Sequence, residues 1–398
     1  MKKLVSMILT GVLVLSLAGC GSTNTASDVA ESTTVAVEAE TTAETESSEV
    51  VISEEEVAQA ESATKRTFVD DAGVEMEVPE KIDRIVVGSW QMVGPLAVYL
   101  GGGEKIVGMA PASLKAAENG ILGEMYPELL NAETDFYNGG DINMEELLKL
   151  DPDLVIGVSE EKAEAIRAAG IPATVVSVSK WNYDVIETYS HWLETFDAIF
   201  GGSAYEGDVT EYSRQVQASI QEKVSTIAEE DRKRVMILFS YSDATMTTSS
   251  KIFFGQSWCD LTGAINVGEG IESLGNAAIN MEQVYEWNPD VIIITNFTKA
   301  QPEDLYNNTI GSDDWSSINA VKNKQVYKMP LGVYRSFTPG ADTPVTLQWF
   351  AKAVYPELFA DIDVEQVARD YYKDFYNIEL TDEQVENMFN PPSAASAN

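Results

Sequence analysis

One histidine, two cysteines and a large surplus of carboxylates make a thin catalytic inventory. His191 sits beside Trp192 in an aromatic helical context, where a lone histidine is more often structural than catalytic. Gly255-Gln256-Ser257-Trp258-Cys259 half resembles a nucleophile elbow, but Cys259 stands where that turn needs glycine. Gly101-Gly102-Gly103-Glu104-Lys105 lacks the spacing of a phosphate loop. Histidine and cysteine do not cluster as zinc ligands would. Acidic residues abound, so hydrolysis by a carboxylate pair stays open, although no spacing singles out a pair.

More chemistry lies in residues that follow short apolar runs. These are Ser89-Trp90-Gln91, Met109, Ser159, Trp181, Ser240-Tyr241 and Asn296-Phe297, with Tyr137-Asn138 and Tyr334-Arg335 nearby. In open α/β sheets ligands bind beyond the carboxyl ends of the strands. Aromatic side chains with one cation suit a flat, conjugated or anionic ligand. Trp90, Tyr137, Ser159, Trp181, Tyr241, Asn296, Tyr334 and Arg335 are therefore the candidate ligand contacts. Each aromatic taken singly could equally be core.

The elements that position them follow an alternating pattern. Ile85–Gly88, Lys105–Gly108, Leu154–Ile156 and Ala173–Val178 are expected strands, separated by helical stretches such as Val93–Leu100 and Ala163–Ala169. The pattern restarts at Val235–Phe239 and continues through Val291–Ile294 and Gln325–Tyr327. Strands alternating with helices point to parallel, doubly wound sheet. Between the halves, Tyr205, Val209, Tyr212, Val216, Ile220, Val224 and Ile227 are spaced by three or four, predicting one long amphipathic helix.

A repeat supports two lobes. Ile142-Asn143-Met144-Glu145 recurs as Ile279-Asn280-Met281-Glu282, 137 positions on. Seven residues after each glutamate comes Pro152-Asp153 or Pro289-Asp290, then an apolar run. Solenoid periods are about 20–50 residues, so this longer period means similar lobes with a cleft between them. The expected fold is α/β: two Rossmann-like lobes with a central cleft, joined by one long α-helix. The expected boundaries are 66–183 for the first lobe, 184–230 for the inter-lobe segment, 231–390 for the second lobe and 391–398 for a disordered tail.

The N-terminus reads as a processing segment. Lys2-Lys3 precede an apolar run to Leu17, short of the roughly 20 residues of a membrane span. Leu17-Ala18-Gly19-Cys20 resembles a bacterial lipobox, so residues 1–19 are an expected signal peptide and Cys20 an expected acylation site. Residues 20–65 are rich in Ser, Thr, Ala and Glu, and no Lys or Arg occurs from Gly21 to Thr64. They read as a solvated tether. The net charge of −38 argues against nucleic acid and anionic membrane surfaces as partners. Acylation of Cys20 would leave Cys259 alone, with no disulfide to form.

Together the lipobox, tether, paired Ile-Asn-Met-Glu units and middle helix resemble the solute-binding lipoproteins of ABC transporters. The subgroup is the iron-siderophore, haem and cobalamin binders. The resemblance covers Arg66 to the last helices. It implies a monomeric, non-enzymatic receptor that passes its ligand to a permease and ATPase. No cofactor is expected. The lack of histidine clusters disfavours a bare metal, while a ferric chelate brings its own oxygen ligands and haem could take Tyr or Met. The resemblance implies a place on the outer face of the membrane or its periplasmic side. It implies that Glu145 and Glu282 pair with permease arginines, although a glutamate in the first turn of a helix is also favoured by the helix dipole. Arg335 could fork onto a carboxylate, catecholate or hydroxamate oxygen. The leading expectation is capture of a ferric siderophore-type chelate, with cobalamin or haem as alternatives. A lipid-anchored hydrolase using carboxylates, or an adhesion or sensor lipoprotein, are alternatives of other classes.

Overall fold

The computed structural model describes residues 66–396 apart from 90 and 206. The expected signal peptide, Cys20, the tether and Trp90 lie outside the described residues. A hairpin of β1 (Arg66–Val69) and β2 (Glu75–Val78) leads into a parallel sheet. Its strands are β3 (Ile85–Val87), β4 (Ile106–Met109), then, after a small hairpin of β5 (Tyr137–Asn138) and β6 (Asp141–Ile142), β7 (Leu154–Val158) and β8 (Ala173–Val175). They lie in the order β4-β3-β7-β8. β3 and β7 are buried along their whole length, as parallel strands with both faces covered must be, and their Ile, Val and Leu content suits that.

The second lobe rebuilds this plan. Its sheet contains β9 (Arg234–Ser242), β10 (Thr245–Ser249), β11 (Ile265–Asn266), β12 (Asn276–Ala278), β13 (Val291–Ile294) and β14 (Val326–Lys328). The order is β12-β10-β9-β13-β14, with β11 against β9. In both lobes the first pattern strand, β3 or β9, pairs in parallel with the strand after the Pro-Asp turn, β7 or β13, which pairs in turn with β8 or β14. β10 and β12 depart from the parallel expectation and form an antiparallel edge.

The repeated tetrapeptide now has a physical reason. Asn143 caps the helix Met144–Lys149 by accepting from the Glu145 N–H at 3.1 Å. Asn280 caps Met281–Trp287 through a capping box with Gln283. Such caps each stabilise a helix by about 1 kcal/mol. Asp153 Oδ2 accepts from the N–H groups of Asp83 and Arg84 at 2.8 and 2.9 Å. Its own N–H donates to Arg84 O at 2.8 Å. Asp290 does the same to Arg234, at 3.0 and 2.9 Å. The aspartate of each Pro-Asp turn clasps the start of the neighbouring strand and sets its register, Ile85 beside Leu154 and Val235 beside Val291.

The link between the lobes differs from the expected single helix. Within residues 204–227 the expected helix is present as Val209–Val224, but it is not the single link, because a separate helix precedes it. Gly201, at φ 82°, ends the helix Val185–Phe200, and a second helix, Val209–Val224, starts at the Asp208 cap. Between them Ala204 N–H donates to Tyr99 O at 2.8 Å. Tyr205, counted in the amphipathic stripe, instead meets Tyr376 edge-on at 5.3 Å. Val185 and Ile186 pack in the core of the second lobe, whereas Tyr189, Trp192, Phe196 and Ile199 pack in that of the first. Val209 joins the first core and Val216, Ile220 and Val224 the second. The helix Thr343–Val354 also spans both, through Val345 and Leu347. Periodicity reveals an apolar stripe but not which core each part of it enters.

Two boundaries also move. The helices Val364–Tyr376 and Asp382–Phe389 fall within the expected bounds of the second lobe, 231–390. Their residues Ala368, Tyr371, Tyr372, Val385 and Met388 pack instead into the first lobe's core. The chain thus returns to the lobe where it began. The expected disordered tail holds a short turn, Ser393–Ala395, with Ala395 fully buried.

Candidate anion-binding site

A loop from Met329 to Asp342 runs between the lobes and is buried almost throughout. Val333 packs into the first core and Phe337 into the second. The loop is closed on itself, since Val333 N–H donates to Asp342 Oδ2 at 2.7 Å and the Tyr372 hydroxyl donates to Asp342 Oδ1. Burial pushes the Asp342 carboxyl up to about 6, against these two hydrogen bonds. Gly94 lets the loop approach, because a Cβ there would lie 2.6 Å from Val333 O. Gly332 is required for the same reason, its added Cβ falling 2.1 Å from the Asp342 carboxylate.

This loop carries Arg335. The side chain is 1% exposed, and neither Nε nor Nη2 has an acceptor. No carboxylate among the described residues pairs with it. The guanidinium carbon lies 4.8 Å from the centre of the Phe297 ring and 5.6 Å from that of Tyr334. Phe297 stacks on Phe239 at 4.8 Å, and Phe337 meets Phe239 edge-on at 5.4 Å. Burial depresses the guanidinium's affinity for its proton. Cation–π contact offsets part of the desolvation, by about 2 kcal/mol, against several kcal/mol per buried ion. The balance is a cation that lacks an anion.

Other polar groups are also incomplete. Asn296, fully buried, donates from Nδ2 to Met329 O at 3.1 Å, while its Oδ1 has no partner. Ser336, beside Arg335, is buried with an unpartnered Oγ. Burial raises the Tyr334 phenol above its ordinary range, and Tyr137 from the first lobe adds to the shift, which places the two near each other. Among the described residues no group of three or more His, Cys, Asp or Glu could hold a metal ion. The arrangement can accept an anion with hydrogen-bond acceptors for Nε and Nη2.

The other candidates fall elsewhere. Ser159 is exposed at the start of the helix Glu160–Ala168, with no side-chain cap bond. Trp181 stacks against His191 at 4.4 Å, and His191 Nε2 pairs with Asp71 at 3.0 Å. Burial would raise Asp71, but its bonds from His191, Ser177 and Lys180 hold it at about 2. Trp181 shares no contact with Arg335. Tyr241 is a core residue: its hydroxyl contacts Ile310 O, Asp313 and Trp315 at 3.0–3.1 Å. A bulge explains this. Leu238 and Ser240 pair with Thr248 and Thr247, leaving Phe239 as the extra residue and turning Tyr241 onto the opposite face. Phe239 and Ser336 escaped sequence reading. Phe239 belongs to a uniformly apolar run that gives no sign of the bulge, and Ser336 carries no periodic signal.

Glu145 and Glu282 both occupy the second position of their helices and both are exposed. Glu145 also reaches Lys149 at 3.2 Å. A surface cavity of about 670 Å³, walled by Lys233, Asp290 and Tyr355, lies at the amino ends of β9 and β13. It is away from the strand ends that carry Arg335's neighbours. Its Tyr355 hydroxyl is already bonded to Lys233 N and Gly263 O.

A family model described as Periplasmic binding protein matches residues 85–331, more than half of the chain. The chain belongs to the periplasmic binding protein family. This binding protein is 26% identical over 333 residues to the molybdate-binding protein MolA of Haemophilus influenzae, covering 78% of this chain and 91% of that one. It is 26% identical over 308 residues to YvrC of Bacillus subtilis, an uncharacterized ABC transporter substrate-binding lipoprotein, covering 74% and 87%. A periplasmic solute binding protein of Veillonella parvula superposes with a TM-score of 0.72 at 26% identity, over 82% of this chain and 97% of that one. The binding protein is thus the solute-binding component of an ABC importer. It acts outside the cytoplasm together with permease and ATPase components. Proteins of this family bind solutes and are not enzymes. Among the described residues no helix is long and apolar enough to cross a membrane.

Proposed function

We propose that the imported solute is a metal centre already dressed in anionic oxygens, held in the cleft by Arg335. The observation that carries this reading is the buried guanidinium with two N–H donors unanswered. Such a solute brings its own metal ligands, which suits a site without a metal-ligand cluster among the described residues. A ferric siderophore-type chelate, with catecholate, hydroxamate or carboxylate oxygens, is the leading form. A molybdate-type oxyanion is the second, favoured by the likeness to a molybdate-binding protein. Haem and cobalamin remain for the same test. Asn296, Tyr334 and Tyr137 would complete the contacts, with Ser159 at a neighbouring strand end.

The test is quenching of tryptophan fluorescence, the chain having seven tryptophans. Ferric hydroxamate, ferric catecholate, molybdate, haem, cobalamin and free ferric ion are titrated separately. Saturable quenching by an oxygen-dressed anion, and none by the free ion, is the expected result. Binding of cobalamin alone would overturn the anionic reading.

Glu145 and Glu282 are proposed as the two points where the permease docks, one on each lobe. Cys20 is proposed as the acylated anchor. Two acyl chains hold a protein on a membrane where one is marginal, each buried CH₂ adding about 0.8 kcal/mol. Cys20→Ala is therefore expected to release the protein from membranes in a fractionation experiment. A processed Cys20→Ala protein that stays with the membrane would remove the anchor.

A further inference from the structure

A second buried cation lies just before the loop that carries Arg335. Lys328 ends β14 and is 7% exposed. Its ammonium donates to three backbone carbonyls, Thr295 O at 2.9 Å, Thr298 O at 2.6 Å and Ala300 O at 2.9 Å. No carboxylate among the described residues forms an ion pair with it. These three bonds use every ammonium proton. They also gather one turn of chain, residues 295–300, around a single charge.

That turn supplies part of the candidate site. Asn296, with its unpartnered Oδ1, and Phe297, under the Arg335 guanidinium, both lie inside it. Asn296 Nδ2 is tied to Met329 O, the residue after Lys328, at 3.1 Å. Thr298 Oγ1 donates to Tyr241 O at 2.7 Å and Thr295 Oγ1 to Phe239 O at 2.7 Å, so threonine hydroxyls hold the turn to β9. Lys328 closes it from the other side. A neutral side chain could not satisfy three carbonyls there, and a carboxylate beside the ammonium would cancel its field.

We propose that Lys328 is a positioning residue of the anion site, which both fixes the turn bearing Asn296 and Phe297 and lends a second positive charge to the anion. The inference rests on the anionic reading of the cleft above. It also gives capture a pH dependence. Burial, and then repulsion from Arg335, pull the Lys328 ammonium down to about 7. Raising the pH past that point removes the charge, so anion affinity falls. In the reverse sense, a bound anion favours the charged form and draws in a proton.

Of the other groups, Asp342, held at about 6 in the loop that carries Arg335, ionises below the Lys328 titration and stays in the Lys328 variants, so its share of the slope is read there. Asp304, from the helix Pro302–Asn307, favours the charged form of Lys328. Glu303 and Tyr306 of that helix, Tyr327 of β14 and Glu365 of the helix Val364–Tyr376 line a surface cavity together with Lys328. Burial raises both tyrosines, which keeps them neutral near pH 7. The single histidine, His191, is bonded to Asp71 in the first lobe.

The experiment titrates full-length protein with molybdate and with ferric tris-catecholate, from about pH 6 to about pH 8.5, a range that brackets the Lys328 titration. Wild type, Lys328→Met, Lys328→Gln and Arg335→Met are compared. Wild-type Kd is expected to rise about tenfold across the range, the loss of one charge interaction. Lys328→Gln, which keeps donors but not charge, should bind more weakly at low pH and lose the slope above about pH 7. Lys328→Met should bind more weakly still. If Lys328→Met does not fold, the wild-type slope and the glutamine variant still decide. Wild-type affinity and an unchanged pH profile in Lys328→Gln, with Arg335→Met inactive, would overturn the role of Lys328 alone. Unchanged affinity in Arg335→Met would instead remove the anionic reading and this inference with it.

Discussion

Arg335→Met is expected to do two opposite things. It should abolish measurable anion binding, and it should raise the unfolding temperature of the unliganded protein. Each hydrogen bond to a charged group contributes about 1.5–3 kcal/mol, and two guanidinium N–H groups stand ready. Even with overlap between them, the loss in affinity should be about a hundredfold or more. The stability gain follows from the same burial. The guanidinium is 1% exposed with no ion pair among the described residues, so the empty protein carries its desolvation cost. An apolar chain of similar length removes that cost, and such replacements stabilise by about 1–4 kcal/mol even where the charge was paired. For a domain of this size each kcal/mol moves the midpoint by about 2–4 °C. Calorimetry with and without ligand reads both effects. A variant that melts earlier and binds normally would make Arg335 a structural residue.

The second large effect belongs to the lobe surfaces. Glu145→Lys combined with Glu282→Lys is expected to stop uptake while ligand affinity stays within twofold or so of wild type. Like-charge contact at a docked interface costs several kcal/mol, enough to prevent productive assembly with permease arginines. Both side chains are exposed on the second residue of capped helices, so neither contributes to the buried loop. A modest stability loss is expected as well, since lysine in a first helical turn opposes the helix dipole by about 0.3–1 kcal/mol. Transport assays and fluorescence titration on the same variant separate the two roles. Normal uptake, or lost binding, would end the symmetric docking assignment.

Two lobes with one plan were legible in the residues because local chemistry carried the signal. Asn143 and Asn280 are helix caps, and Asp153 and Asp290 are strand clasps, each acting on neighbours that any short segment can define. Apolar β-branched runs such as Val291–Ile294 can only be buried strands in such a context. Arg335, Tyr334 and Asn296 were legible as strand-end residues for the same reason. The boundary near 231–390 was not, because the pairing of Tyr371 and Tyr372 with the first lobe depends on contacts across some 200 positions, which no periodicity encodes.

The sequence by itself determined the α/β class, the paired lobes, the caps and clasps that start their strands, and the presence of one cation among aromatic residues. These depend on residue type and on spacing within a turn or a strand. Only the tertiary structure decided which candidates share a site. One extra residue in β9 turned Tyr241 into the core, while leaving Phe239 against Phe297. Only the fold, too, left Arg335 without an acceptor and set Lys328 among three carbonyls. Burial and hydrogen-bond satisfaction are properties of what surrounds a side chain, and for these residues the surroundings come from both halves of the chain.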